Sequence, residues 1–97
     1  MITVKVRFLG PLFEFTNQRN VNIILDDNSN IKDLLNKLLE KYGKGFKQEI
    51  FESEGLSIRP YVLVLLNGLL IQPSRKELSK LLKSQDELTF VYPSTGG

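Results

Sequence analysis

The chain has 97 residues, 41% hydrophobic and 25% charged, which suits a single domain with a modest core and is too apolar for a disordered or collagen-like chain. Cysteine and histidine are both absent, which excludes disulfide scaffolds, Cys/His zinc sites, and Cys- or His-based catalysis by the chain itself. Thirteen basic residues against eleven acidic give a net charge of only +2, too weak a balance to indicate a polyanion-binding surface. No apolar run approaches the ~18 residues of a membrane span, and the alternating start Met1-Ile2-Thr3-Val4-Lys5 lacks the form of a signal peptide. A cytoplasmic domain without catalytic groups of its own is the expectation, with neither nucleic acid nor membrane as partner.

In chain order, Ile2, Val4, Val6 and Phe8 alternate with Thr3, Lys5 and Arg7, which predicts a half-buried strand ended by Gly10-Pro11. Leu12-Phe13-Glu14-Phe15 reads as a short apolar segment folding back over the core edge. Val21, Ile23 and Leu25 restart the alternation as a second, antiparallel strand, followed by a polar turn at Asp26-Asp27-Asn28-Ser29. Ile31, Leu34, Leu35, Leu38, Leu39 and Tyr42 then form an apolar stripe at helical period. Asn30 suits the N-cap, Asp33 places an acid in the first turn, and Gly43 suits the close. Lys37, Lys41, Lys44 and Lys47 cluster here with Glu40 and Glu49 among them. No aromatics interleave as in a single-strand binder, so a solvated helix face is expected.

Residues 44–60 are the least defined stretch. Phe46 and Ile50, at i and i+4, fit a short helical turn, with Ser53-Glu54-Gly55 as loop. Tyr61 to Leu66 reads as a central strand, Asn67-Gly68 as a two-residue type I′ turn, and Leu69-Leu70-Ile71 as the return. Leu78, Leu81 and Leu82 suggest one short helical turn, and Ser84-Gln85-Asp86 another turn. Leu88, Phe90 and Tyr92 then alternate as the last strand, ahead of the tail Pro93-Ser94-Thr95-Gly96-Gly97. The expected core comprises Ile2, Val4, Val6, Phe8, Leu34, Leu38, Val64, Leu66, Phe90 and Tyr61 or Tyr92. Strands grouped around one long helix imply an α+β chain. A mixed five-stranded sheet wrapped on a single main helix in this order is the β-grasp arrangement, spanning residues 1–92 with 93–97 as a tail.

The opening Val4-Lys5-Val6-Arg7-Phe8, the helix Ile31-Lys32-Asp33-Leu34-Leu35, the hairpin Leu66-Asn67-Gly68 and the ending Tyr92-Pro93-Ser94-Thr95-Gly96-Gly97 together resemble the ubiquitin-like sulfur carriers. Within that group the likeness is greatest to the small subunit of molybdopterin synthase (MoaD), with the thiamine-pathway carrier ThiS and the ubiquitin-related modifier as relatives. The resemblance implies a carrier rather than an enzyme. A ubiquitin-activating-type enzyme would use ATP to adenylate the Gly97 carboxylate, and a persulfide or sulfide would displace AMP to leave a thiocarboxylate. The molybdopterin synthase large subunit would then take the sulfur for the molybdenum or tungsten cofactor, with no cofactor bound by the carrier itself. Alternatively, activated Gly97 would be joined to lysines of target proteins, with sulfur transfer to tRNA as a further role.

The residues themselves suit a tail used this way. A carboxylate is a poor electrophile until adenylation supplies a leaving group. Pro93 stiffens the exit, Gly96 and Gly97 carry no Cβ to bar close approach, and five residues reach about 16 Å at ~3.3 Å each. A two-residue turn at 67–68 pairs Leu65 with Leu70, so Leu63, Leu65 and Leu70 share the face opposite Val64, Leu66 and Ile71. Leu9 and Val91 fall on the same outer parity. Together they predict an exposed apolar docking patch rimmed by Lys5 and Arg7, unless residues 44–60 cover that face.

Overall fold

Why the elements form where they do is clearest from the sheet outward. The computed structural model describes residues 1–10, 16–52, 58–59, 61–72 and 74–91. The readings made for 12–15, 53–55 and the tail from Tyr92 lie outside these residues. Period-2 alternation gives β1 (Ile2–Leu9) and β2 (Asn20–Leu25), and the helical stripe opens α1 (Ile31–Ile50). Then follow β3 (Leu63–Leu66), β4 (Leu69–Ile71), the single turn α2 (Arg75–Leu78) and β5 (Glu87–Val91).

The strands form one sheet in the order β2-β1-β5-β3-β4. β1 and β2 pair antiparallel, as do β3 with β4 and β3 with β5, while β1 and β5 run parallel. The sheet is therefore mixed, with the first and last strands both interior. Asn67 and Gly68 have φ of 52° and 84°, the doubly positive pair that a type I′ turn requires. The register Leu65↔Leu70 and Leu66↔Leu69 follows from it.

Burial on one side of the sheet makes the core. Val4, Val6 and Phe8 of β1, Ile23 and Leu25 of β2, Val64 of β3 and Leu88 and Phe90 of β5 meet Ile31, Leu34, Leu35 and Leu38 of α1. Ile2, Leu39, Tyr42, Leu66 and Ile71 are partly buried against this cluster. Tyr61, named with Tyr92 as alternative core residues, is 43% exposed. It precedes β3 in a turn closed by the Val62 amide donating to the Arg59 carbonyl. Leu81 is exposed while Leu78 and Leu82 are buried: α2 ends at Leu78, and the extended backbone beyond it turns Leu81 away from Leu82 as Leu81 bridges to Asn30.

Asn30 starts α1 with a reciprocal cap. Its Oδ1 accepts from the Asp33 amide at 2.8 Å, and its own amide donates to Asp33 Oδ2 at 2.9 Å. Two of the four orphan donors of the first turn are thereby satisfied. Asn30→Ala should lower stability by about 0.5–2 kcal/mol; denaturant unfolding showing no change would contradict the cap.

The helix does not close at Gly43. There the backbone kinks through φ 80°, ψ −160°, and a second helical limb runs on to Ile50. Phe46 and Ile50 thus belong to a helix rather than a lone turn, and both are fully buried. The kink aims Phe46 between Phe8 and Phe90, with ring centroids 5.8 and 6.2 Å away and edge-on to both. Tyr42 adds a fourth ring at 5.7 Å from Phe8. Burial pushes the Tyr42 phenol above its ordinary pKa, and its hydroxyl donates to Gln18 Oε1 at 3.0 Å. The described part of 44–60 therefore packs on the helix side of the sheet and leaves the outer face open. Among the described residues, no helix is long and apolar enough to cross a membrane.

Candidate functional site

The outer face can be laid out from the register, because directly paired residues share a side. One row across it reads Leu70, Leu65, Thr89, Arg7, Asn20, on β4, β3, β5, β1 and β2. The next reads Leu63, Val91, Leu9. On the other side of the first row lie Glu87, Lys5 and Asn22. Leu9, Leu63 and Leu70 are 40%, 43% and 63% exposed, while Leu65 and Val91 are half-buried. Thr89 lies buried between Leu65 and Arg7 in the middle of its row. The structure thus brings Leu9, Leu63, Leu65, Leu70 and Val91 into one apolar zone spread over four strands.

Lys5 and Arg7 stand in a separate polar zone beside it. With Asn20, Val21, Asn22 and Glu87 they line a shallow depression on the β1–β2 half of the sheet. Arg7 Nη1 approaches Glu87 Oε1 at 3.4 Å, a surface pair that contributes about 0–1 kcal/mol. The outer face is therefore divided, apolar on one half and cationic with amide donors on the other. Lys37, Lys41, Lys44 and Lys47 are all exposed on α1. Lys44 and Lys47 share a second depression with Gln48, Phe51, Glu52 and Arg59.

Tyr92, Pro93, Gly96 and Gly97 lie outside the described residues. The last described residue, Val91, pairs with both Leu63 and Leu9, so the chain leaves β5 from within the apolar zone. This is the geometric link between the face and the tail.

Two features escaped the sequence reading. Leu69 falls on the helix-side parity yet is 73% exposed, because it sits at the hairpin tip, where α1 does not cover it. Only its place beside the turn could have signalled this. Asn67 does more than form the turn. Its Oδ1 accepts from the Glu87 amide at 2.8 Å and its Nδ2 donates to Asp86 Oδ1 at 3.0 Å. Its amide also donates to the Glu87 carbonyl at 2.8 Å. These contacts join residues far apart in sequence, and no local pattern announces them.

A mixed five-stranded sheet over one long helix, opened by a hairpin and closed by a parallel strand between the two hairpins, defines a ubiquitin-like protein of β-grasp fold. The sequence model of the ThiS family matches residues 6–97, and the chain belongs to that family, within the ubiquitin-like sulfur carriers and modifiers. Small archaeal modifier protein 1 of Methanosarcina acetivorans is 30% identical, with a TM-score of 0.79 over 100% of this chain and 98% of that one. Urm1 of Sulfolobus solfataricus is 26% identical, with a TM-score of 0.62 over 92% and 99% of the two chains. A chain from the complex of subunits 1 and 2 of the molybdopterin-converting factor of Helicobacter pylori is 25% identical, with a TM-score of 0.59 over 99% and 100%. No protein of curated function matches the chain.

Proposed function

We propose that this protein carries sulfur on Gly97 for molybdopterin synthesis. The observation that supports the reading most directly is that the family match runs through the Gly96-Gly97 end. β5, the described strand that precedes this end in the chain, terminates at Val91 in the exposed apolar zone. The Gly97 carboxylate attacks the α-phosphorus of ATP in a ubiquitin-activating-type partner, releasing pyrophosphate and forming an acyl-adenylate. Sulfide delivered by a donor attacks the acyl carbon, the C–O bond to AMP breaks, and a thiocarboxylate remains. The synthase large subunit then receives the sulfur. In this reading the chain is a carrier that binds no cofactor, and ATP is consumed by its partner.

The full chain, incubated with its adenylating enzyme, ATP and a sulfide donor, should show one oxygen replaced by sulfur, localised by peptide mass spectrometry to the peptide ending at Gly97. Sulfur appearing elsewhere, or nowhere, would overturn the reading.

The divided outer face serves as the docking surface for both partners. Apolar side chains exposed together mark contact sites, and Lys5 and Arg7 favour a partner that places carboxylates opposite the polar half. Leu70→Glu puts a charge in the apolar half at a side chain that contributes little to the core. It should weaken partner binding by at least about tenfold, or ~1.4 kcal/mol, with unchanged melting. Calorimetric titration giving wild-type affinity for this variant and for Val91→Glu would remove the docking assignment.

The likeness to an archaeal modifier protein at 30% identity favours a second reading, in which adenylated Gly97 is attacked by a lysine amine to form an isopeptide bond. Immunoblots of cell extract should then show high-mass conjugates that persist under reducing conditions and vanish with Gly97.

A further inference from the structure

Every asparagine in the chain but one precedes a residue with a side chain; Asn67 precedes Gly68. Asparagine is among the chemically labile residues, and its main reaction needs the next amide nitrogen to reach its own side-chain carbon. Glycine puts no Cβ in that path, and the space around Gly68 is open. Both residues are exposed.

The structure adds a restraint that the sequence does not show. The Asn67 side-chain amide, though exposed, is held in one orientation by the Asp86 and Glu87 contacts described above. Its Nδ2, the group that would leave, is the donor to Asp86 Oδ1. Asp86 is itself fixed, its Oδ2 accepting from the Lys83 amide at 2.8 Å. For the side-chain carbon to swing onto the Gly68 nitrogen, this clasp has to open.

We propose that Asn67 is a self-modification site, deamidating in the native protein at a rate set by opening of the Asn67–Asp86 clasp, and that the product loosens β4 at the β3–β4 turn while β3 stays paired with β5. The Gly68 nitrogen loses its proton to solvent base and attacks Asn67 Cγ. The N–Cγ bond forms and the Cγ–Nδ2 bond breaks, with ammonia leaving after taking up a proton. The resulting succinimide is opened by water at either carbonyl, giving aspartate or isoaspartate. Ammonia departs, water enters, and nothing is oxidised or reduced.

Either product is incompatible with the clasp. Aspartate replaces the donor with a carboxylate facing Asp86, and like charges at close range repel. Isoaspartate lengthens the backbone inside a two-residue turn, which sets the register Leu66↔Leu69 and Leu65↔Leu70. Among the described strands, β4 is an edge strand paired with β3 alone, so its Leu70 would lose its fixed place on the outer face. The last consequence, for partner binding, rests on the docking reading; the chemistry and the loosening do not.

The full-length protein should be aged in mildly alkaline buffer and mapped by peptide mass spectrometry with isoaspartate detection. Asn67 is expected to convert ahead of Asn28, which precedes Ser29, and Asp86→Ala should speed the conversion several-fold. Asn67→Asp, which carries one product without ageing, should show faster amide hydrogen exchange at Leu69 and Ile71 while β1 and β2 exchange as before. Conversion at Asn28 but not Asn67, or an Asp86→Ala rate equal to wild type in a protein that still folds, would overturn the proposal. Unaltered exchange in Asn67→Asp would overturn the structural consequence, whatever becomes of the sulfur-carrier reading.

Discussion

A chain shortened by one residue, ending at Gly96, is expected to fold and melt as the full chain does and to accept no sulfur. The two halves of that expectation have different physical origins. Stability resides in the cluster from Val4 to Phe90 on the helix side of the sheet, none of which the deletion touches. In the proposed carrier mechanism, reactivity resides in the Gly97 carboxylate, which the activating enzyme has to place against ATP, and shortening the tail withdraws it by about 3.3 Å. A misplacement of even 1 Å can cost a hundredfold in rate, so the loss should be complete within detection. Gly96→Val tests the same site by crowding rather than by reach. Intact mass after incubation with the activating enzyme reads out both variants, and circular dichroism checks the fold. A Gly97-deleted chain that still gained sulfur would refute the carrier mechanism for this protein.

Leu38→Ala should destabilise by about 2–5 kcal/mol, much of what a domain this size has to lose. Leu38 is completely buried and sits in the α1 stripe with Leu34 and Leu35. Truncating it removes the transfer free energy of the lost atoms and leaves a cavity that the sheet beneath cannot collapse to fill. The exposed Leu81→Ala, by contrast, should cost little. A urea midpoint shift for Leu38→Ala below about 1 kcal/mol would mean that α1 does not seat its stripe on the sheet.

These expectations rest on elements that were legible to unequal degrees. β1, β2 and the first half of α1 could be read because their periods of 2 and 3.6 are local signals, and Asn67-Gly68 fixed the β3–β4 register through turn chemistry alone. From that register and one inward residue, Val64, the composition of the outer face followed. The second limb of α1 is hidden in the sequence because Gly43 reads as a helix close. What overrides it is the burial of Phe46 between Phe8 and Phe90, a contact between distant parts of the chain. Leu81 is exposed where the sequence suggests a helical turn, because three leucines near a helical spacing look alike whether the backbone coils or extends. The Asn67 clasp was invisible for the reason that governs most side-chain hydrogen bonds: its partners come from another strand.

The placing of β5 carries a consequence for synthesis. Parallel to β1 and antiparallel to β3, it is the strand on which the two hairpins meet, and it is made after the four other described strands. While the ribosome is still producing it, β1 and β3 each lack a neighbour, and their edges are open to wrong pairings. Contacts between the two ends of a chain also form slowly, because a long loop has to close before they are rewarded. A chain terminated prematurely before Glu87 therefore cannot complete its sheet and is left to proteolysis. The order of the strands thus acts as a check on synthesis: a polypeptide whose five-stranded sheet is complete has already been translated through Val91.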